Sequence, residues 1–293
     1  AAKNQALYHF PADANDKAWY SNNPRWQQMW SDRIRELVDN YKPDLLYSDG
    51  SLPFGDYGRT LLAHYYNANE SWHGGKLEAV YNCKFNPKDG GEFAPGACVQ
   101  DLERGVQQGI SAEPWQTDTC VGDWYYKRDI KYKTTTQVIR MLADIVSKNG
   151  NLLLNFPLRS DGTLDAPQEK IVAEMADWIK LNGEAIYATR PWRLFGEGTP
   201  QLAGGHFNED KQRYTAEDIR FTVRGKMLYA IALEWPESGK LVVKSLGGAT
   251  VGAVRMLGVG TPLKFTRGAG GLVVEMPASR PCQHAYVLRI EGL

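Results

Sequence analysis

No charge of one sign predominates in the chain: 34 Lys and Arg stand against 34 Asp and Glu. A balanced surface gathers neither nucleic acid nor an anionic membrane, so the partner expected is a neutral molecule. No apolar run approaches the roughly 20 residues needed to span a bilayer. The four cysteines, Cys83, Cys98, Cys120 and Cys282, lack the close paired spacing of a zinc site. Cys83 and Cys98 could bridge a loop in an oxidising compartment, although buried free thiols are the commoner fate. No phosphate or nicotinamide motif is present. Gly268-Ala269-Gly270-Gly271 lacks the strand-to-helix context of a phosphate loop and reads as a hairpin turn. No metal and no cofactor are expected. The chain begins Ala1-Ala2-Lys3-Asn4-Gln5, with neither an initiator Met nor the apolar core of a signal peptide, which leads to the expectation that something upstream is missing. Asn69-Glu70-Ser71 fits a glycosylation sequon, a triplet frequent by chance.

Aromatic residues, in contrast, are plentiful, with 15 Tyr and 9 Trp. They cluster beside acids, as expected where the apolar faces of a sugar are stacked while its hydroxyls are hydrogen-bonded. The stretch from Lys42 to Gly55 organises the rest. Pro43 bars a helix, Leu45-Leu46-Tyr47 is short enough for one fully buried strand, and Asp49-Gly50 follows at once. An acid where a strand stops is either a turn former or, in barrels of alternating strands and helices, a catalytic side chain at the carboxyl end of a strand.

The run Ala97-Cys98-Val99-Gln100-Asp101-Leu102-Glu103-Arg104-Gly105 repeats that signature, a short strand ending in acid and glycine. Pro114 to Tyr126 is dense in aromatic and polar residues and reads as a strand and loop facing the site. Around these lie a helix starting near Pro24, with Trp26, Met29, Trp30, Ile34, Leu37, Val38 and Tyr41 as its stripe, and a shorter helix from Thr60 to Asn67 after turn residues Pro53, Gly55 and Gly58. A strand is expected within Lys76 to Lys84, then a polar loop from Phe85 to Gly96. Thr134 to Lys148 is a capped helix, Asn151 to Phe156 a buried strand and Pro167 to Leu181 another helix. That rhythm predicts a parallel α/β barrel. Past Trp192 short strand-like runs at regular spacing, starting at Phe221 and ending at Ile290, predict a small antiparallel sandwich. The expected division is residues 1–195 and 196–293.

Two acids at strand ends, lined with Trp and Tyr, suggest glycosidic hydrolysis, which needs one carboxylate and one carboxylic acid flanking a sugar. Tyr47-Ser48-Asp49-Gly50, the run from Val146 to Asn155 (VSKNGNLLLN) and the run from Asn182 to Trp192 (NGEAIYATRPW) together resemble the family 29 glycoside hydrolases, which are α-L-fucosidases. The resemblance implies the later part of a (β/α)8-like barrel followed by a C-terminal antiparallel β-sandwich. It further implies a retaining, exo-acting hydrolysis of terminal α-L-fucose through a covalent fucosyl-enzyme, with Asp49 as nucleophile. Some members have Trp-Glu where this chain has Trp115-Gln116, and a neutral amide cannot supply the proton. The acid position used by other members falls on Glu103, while Glu92, Asp101 and Glu113 stay possible. Trp115, Trp124 and Tyr125 would pack on the sugar, and Lys84 lies near a basic substrate-contacting position.

Family members begin with an early strand carrying paired histidines and a tryptophan, and none precedes Asp49; His9 in Leu7-Tyr8-His9-Phe10 would be the remnant of a later strand. An upstream segment of the same polypeptide, or a second chain, is therefore expected to complete the barrel. The expected substrate is a fucosylated oligosaccharide or glycoconjugate, and the expected location secreted or periplasmic. His64 and His73 are expected to be structural or exposed, and His206 and His284 have no assigned part. A non-catalytic fucose or glycan binder, and a transfucosidase or related α-glycosidase on the same fold, stay open as rival readings.

Overall fold

A computed structural model describes residues 20–86, 88–198, 204–209 and 213–292. His9, the strand expected around it and most of the loop expected from Asn15 to Ser21 lie outside the described residues. The chain packs as two compact units, Ala1–Asp101 and Leu102–Leu293.

In the first unit, helix α1 (Pro24–Tyr41) starts where expected. Asn23 caps it by accepting from the Arg25 N–H, Pro24 fills the first turn, and a left-handed Lys42 ends it before Pro43. Strand β1 (Leu45–Ser48) follows, then helix α2 (Asp56–Trp72), strand β2 (Val80–Cys83) and strand β3 (Val99–Asp101). The three strands are parallel, with Tyr47 opposite Asn82 and Cys83 opposite Gln100. Val38, Leu62, Tyr65, Tyr81, Cys83 and Cys98 build the core, and both cysteines are free thiols within it.

Three expectations are corrected here. Strand β1 is not fully buried: Leu45 is 49% exposed, because among the described residues β1 is paired along one edge only, to β2. Helix α2 begins earlier than Thr60 and absorbs Gly58, whose place in the first turn leaves no room for a side chain: a Cβ there would lie 2.1 Å from the Pro53 carbonyl oxygen. The α1 stripe is incomplete, with Leu37 and Tyr41 exposed. The Asn69 of the sequon is buried, donating to Asp44 and accepting from the Glu78 N–H, so it is a helix anchor and not an accessible acceptor.

The second unit opens with strand β4 (Trp115–Cys120), helix α3 (Thr135–Ser147), strand β5 (Gly150–Asn155) and helix α4 (Ala166–Asn182). Thr134 and Gln137 form a reciprocal capping box on α3. β4 and β5 pair in parallel, from Trp115 opposite Gly150 to Cys120 opposite Asn155. β5 was expected to be buried, yet Leu153 is 43% exposed; like β1 it is paired along one edge among the described residues.

Eight strands follow: β6 (Arg190–Glu197), β7 (Ile219–Arg224), β8 (Met227–Ala232), β9 (Lys240–Val243), β10 (Ala253–Met256), β11 (Phe265–Gly268), β12 (Gly271–Glu275) and β13 (Tyr286–Glu291). They form a five-stranded sheet ordered β10-β13-β8-β7-β6 and a three-stranded sheet ordered β11-β12-β9. Phe221, Leu228, Val243, Val254, Leu272 and Leu288 pack between the two sheets as the core of a sandwich. The glycine-rich run is the β11–β12 hairpin turn, Gly268 opposite Gly271. On its other face the five-stranded sheet turns Tyr229, Ile231 and Val287 onto Ile139 and Ala143 of α3 and Trp178 of α4. Helices and five-stranded sheet therefore share a second core.

Candidate active site

Asp49 lies one residue beyond β1, in a turn that the sequence forces into shape. Gly50 has φ +148°, open to glycine, and a Cβ there would fall 2.3 Å from the Tyr20 hydroxyl. Its N–H donates to the Ser48 carbonyl and its carbonyl accepts from the Lys84 N–H at 3.0 Å. Asp89 braces the next residue: Oδ2 accepts from the Ser51 N–H at 3.1 Å and Oδ1 from the Gly91 N–H at 2.8 Å. Tyr20 donates to the Ser51 carbonyl at 2.9 Å. Burial, and then the charge of Asp89, push its phenol up to about 12. The nucleophile candidate thus precedes a hydrogen-bonded Gly50-Ser51 backbone while its own carboxylate is 79% exposed.

That carboxylate is held by Lys84, whose Nζ lies 2.7 Å from Oδ1 and whose side chain is only 13% exposed. Lys84 follows β2 directly, so neighbouring strand ends supply the acid and the cation. Tyr47, in β1, donates to the buried Asp101 carboxylate at 3.2 Å. Asp49 also lines a hollow of about 300 Å³ with Tyr20, Trp30, Tyr47, Leu52 and Tyr81, mainly apolar with a few polar groups.

Glu103 occupies a turn in the second unit, Leu102 to Gly105, closed by the Gly105 N–H donating to the Leu102 carbonyl at 3.0 Å. The turn rests on β4. Leu102 N–H donates to the Gln116 carbonyl, Arg104 N–H to the Asp118 carbonyl, and the buried Thr117 hydroxyl to the Leu102 carbonyl. Gln116 is itself buried within β4.

Glu92 and Glu113 sit in quite different surroundings from Glu103. Glu92 is committed to Arg59, with Nη1 2.5 and 2.6 Å from its two oxygens. Glu113 is exposed and precedes β4, at the end of the strand opposite to the one that carries catalytic groups in barrels. Trp115 is a correction. It opens β4 at that same amino end, is 1% exposed, packs with Leu102 and Ile145, and donates its indole N–H to the Lys148 carbonyl at 2.9 Å. It is a core residue and presents no face to a sugar. The expectation that the whole of Pro114 to Tyr126 faces the site fails with it, since every residue of β4 is buried.

Trp124 and Tyr125, past the carboxyl end of β4, are exposed at 39% and 63%. Asn155, at the end of β5, holds their loop by donating to the Asp123 and Trp124 carbonyls. Asp123 accepts from the Trp124 N–H and pairs with Lys127; the Lys127 hydrogen bond foremost draws its carboxyl below the usual range. His64 pairs with Asp39 and His73 with Asp44, both structural contacts. Among the described residues no three His, Cys, Asp or Glu side chains are grouped to hold a metal ion, and no helix is long and apolar enough to cross a membrane.

Sequence reasoning missed Asp89, Ser51 and Tyr20 as supports of Asp49, and His206 and Glu209 beside Glu103. Neither set carries a local signal: Tyr20 reaches Ser51 across 31 positions, and His206 reaches Glu103 across 103.

Comparison with known proteins supplies a context for this geometry. Residues 3–184 match the family model described as alpha-L-fucosidase, and residues 211–291 match the model of the alpha-L-fucosidase C-terminal domain. The chain is 30% identical over 283 residues to an alpha-L-fucosidase of Branchiostoma floridae, covering 89% of this chain and 56% of that one. It is likewise 30% identical over 291 residues to the plasma alpha-L-fucosidase of Homo sapiens, covering 89% and 54%. The chain thus spans about half the length of the curated relatives it matches. Among solved structures it is similar in fold to Thermotoga maritima alpha-fucosidase in complex with fucose, with a TM-score of 0.71 and 24% identity over 92% of this chain and 57% of that one.

Proposed function

The chain belongs to the alpha-L-fucosidase family, and from that premise we propose that it carries catalytic groups of a retaining, exo-acting α-L-fucosidase. In this reading residues 1–195 contribute part of the catalytic barrel and residues 196–293 form the C-terminal sandwich domain. An upstream segment of the same polypeptide, or a second chain, completes the barrel. The observation that carries the reading is Asp49 itself: an exposed carboxylate at a strand end, fixed by Lys84, at the edge of a hollow large enough for a deoxysugar.

Asp49 attacks the anomeric carbon of fucose while Glu103 gives its proton to the departing glycosidic oxygen, breaking the bond and leaving a covalent fucosyl-enzyme. Glu103, now a carboxylate, takes a proton from water, whose oxygen displaces Asp49 and releases fucose. A retaining pair requires its carboxyl groups about 5 to 5.5 Å apart. Lys84 holds the Asp49 carboxylate in place, and Trp124 and Tyr125 offer aromatic faces to the apolar side of the sugar. Fucosylated oligosaccharides or glycoconjugates are the substrates, and secretion or periplasmic export is the location in keeping with them.

The test is hydrolysis of 4-nitrophenyl α-L-fucoside by the complete polypeptide. Asp49→Asn abolishes turnover by at least about a thousandfold, ~4 kcal/mol of transition-state stabilisation, while fucose still binds. Glu103→Gln is rescued by azide, which attacks the covalent intermediate without needing a base. Rescue at Asp101 or Glu92 in place of Glu103 would move the acid/base assignment. Unchanged turnover in Asp49→Asn would overturn the reading, and so would full activity of the 293 residues alone for the proposed completion of the barrel.

A further inference from the structure

Residues 204–209 lie a hundred positions beyond Glu103, yet they take up three of the four backbone groups of Glu103 and Arg104. The Glu103 N–H donates to His206 Nδ1 at 3.0 Å, and the Glu103 carbonyl accepts from the Phe207 N–H at 3.0 Å. The Arg104 carbonyl accepts from both the Asn208 and Glu209 N–H groups at 3.1 Å. On the far side of the turn Val106 and Gly205 exchange two backbone hydrogen bonds. Of the four backbone groups of Glu103 and Arg104, only the Arg104 N–H goes to β4.

The side chains reinforce this. Arg104 Nε donates to Glu209 Oε1 at 2.8 Å, and Lys133 Nζ lies 3.0 Å from the same oxygen. The Glu209 side chain is 2% exposed. Arg104 has φ +44°, a left-handed conformation that a side-chain-bearing residue keeps only where its surroundings hold it there. Gly105 closes the turn against the Gly205 carbonyl, which would lie 2.9 Å from a Cβ at that position. A turn this constrained restricts where the Glu103 carboxyl can swing.

We propose that residues 204–209 form a positioning clasp for Glu103, with His206 and Glu209 as positioning residues that set the direction of its carboxyl without touching substrate. The proposal rests on Glu103 being the acid/base. His206 must present an unprotonated Nδ1 to the Glu103 N–H, so its proton sits on Nε2; an imidazolium would offer a donor where an acceptor is needed. The charged groups around the clasp are Glu103 and Arg104 on the turn, Asp118 on β4, Asp123 just past β4, Lys131 and Lys133 ahead of α3, Arg140 on α3, Arg213, and Glu209 itself.

The test separates positioning from plain stability by varying the leaving group. A well-placed general acid matters most when the leaving group is poor, and its contribution is typically 10²–10⁴-fold. In the complete polypeptide, His206→Ala and Glu209→Gln lose about tenfold more kcat/KM on an alkyl α-L-fucoside than on 4-nitrophenyl α-L-fucoside. The alkaline limb of the kcat/KM profile shifts in both variants, and His206→Asn, whose Oδ1 accepts, recovers most of the loss. Equal losses on both substrates with an unmoved profile would reduce the clasp to a fold contact and overturn the proposal. Glu103→Gln is the control: sensitivity to leaving group with azide rescue keeps the acid/base assignment whatever the clasp variants do, and insensitivity with no rescue sinks the assignment and the clasp with it.

Discussion

At the scale of single residues, the same chemical type plays opposite parts depending on its neighbours. Lys84 could have been a surface lysine and is instead a mostly buried partner of an exposed carboxylate. Trp115 could have been a sugar platform and is a core residue. Asp89 draws no notice in the sequence, yet its carboxylate accepts from the Ser51 N–H just after Gly50 and from the Gly91 N–H of its own loop. Asp89→Ala leaves the Ser51 and Gly91 N–H groups without acceptors, at a cost of about 1–3 kcal/mol for each one that stays buried. Urea unfolding measures that loss, and kcat falls with it because the turn bearing Asp49 loosens. On the proposed function, Lys84→Met in the complete polypeptide lowers kcat/KM on 4-nitrophenyl α-L-fucoside by about 10- to 100-fold with little change in stability, the pair being exposed on the Asp49 side. A stability loss matching the activity loss would make Lys84 structural.

Among the elements, the helices were the most legible because their signals are local. Asn23-Pro24, Thr134 with Gln137, and Asp165 before Pro167 are caps that can be read within four residues, and each is found capping. Burial alone would push the Asp165 carboxyl up, but hydrogen bonds from the Tyr132 hydroxyl at 2.7 Å and the Gln168 N–H at 3.1 Å overcome it and hold it below the usual range. A depressed folded pKa contributes stability above the unfolded value, about 3.9, and that stability is lost as pH falls through the folded value. Asp165→Ala therefore costs about 1 kcal/mol at neutral pH, and the gap from the parent narrows under acid. Chemical denaturation at pH 7 and pH 3 checks it; a gap that stays constant or widens on acidification would refute the linkage. The strands were less legible. Leu45-Leu46-Tyr47 and Leu152-Leu153-Leu154 are apolar enough to read as buried, but whether an apolar strand is covered depends on what lies on its second edge.

Over the whole molecule, the cores set the organisation. Asp144 of α3 is buried between Lys148 at the end of its own helix, 2.7 Å away, and Arg220 of β7, 2.5 Å away. This triad ties the last helices of the α/β portion to the five-stranded sheet. Burial draws the Lys148 ammonium down from its ordinary value while the Asp144 charge opposes the shift. Asp144→Ala strands two buried cations and is expected to destabilise the second unit by about 3–5 kcal/mol, lowering the melting temperature of the α3 helix and the sandwich together. Separate transitions for the two would show that they do not share a core. The regular spacing of the short strand-like runs past Trp192 made the sandwich readable, but not that both faces of its larger sheet are covered. Phe221 and Leu288 look into the sandwich, while Tyr229 and Val287 meet α3 and α4.

The order of helices and strands, the strand ending at Asp49, the hairpin at Gly268 to Gly271 and the family resemblance were all determined by the sequence itself. Those signals act within a helical turn or along one alternating strand. Only tertiary structure decided that Trp115 is core, that Asp89 supports the Asp49 turn, and that His206 and Glu209 grip the turn of Glu103. Hydrogen bonds between segments far apart in the chain leave no periodicity behind, because what selects their residues is the space and polarity of the folded neighbourhood.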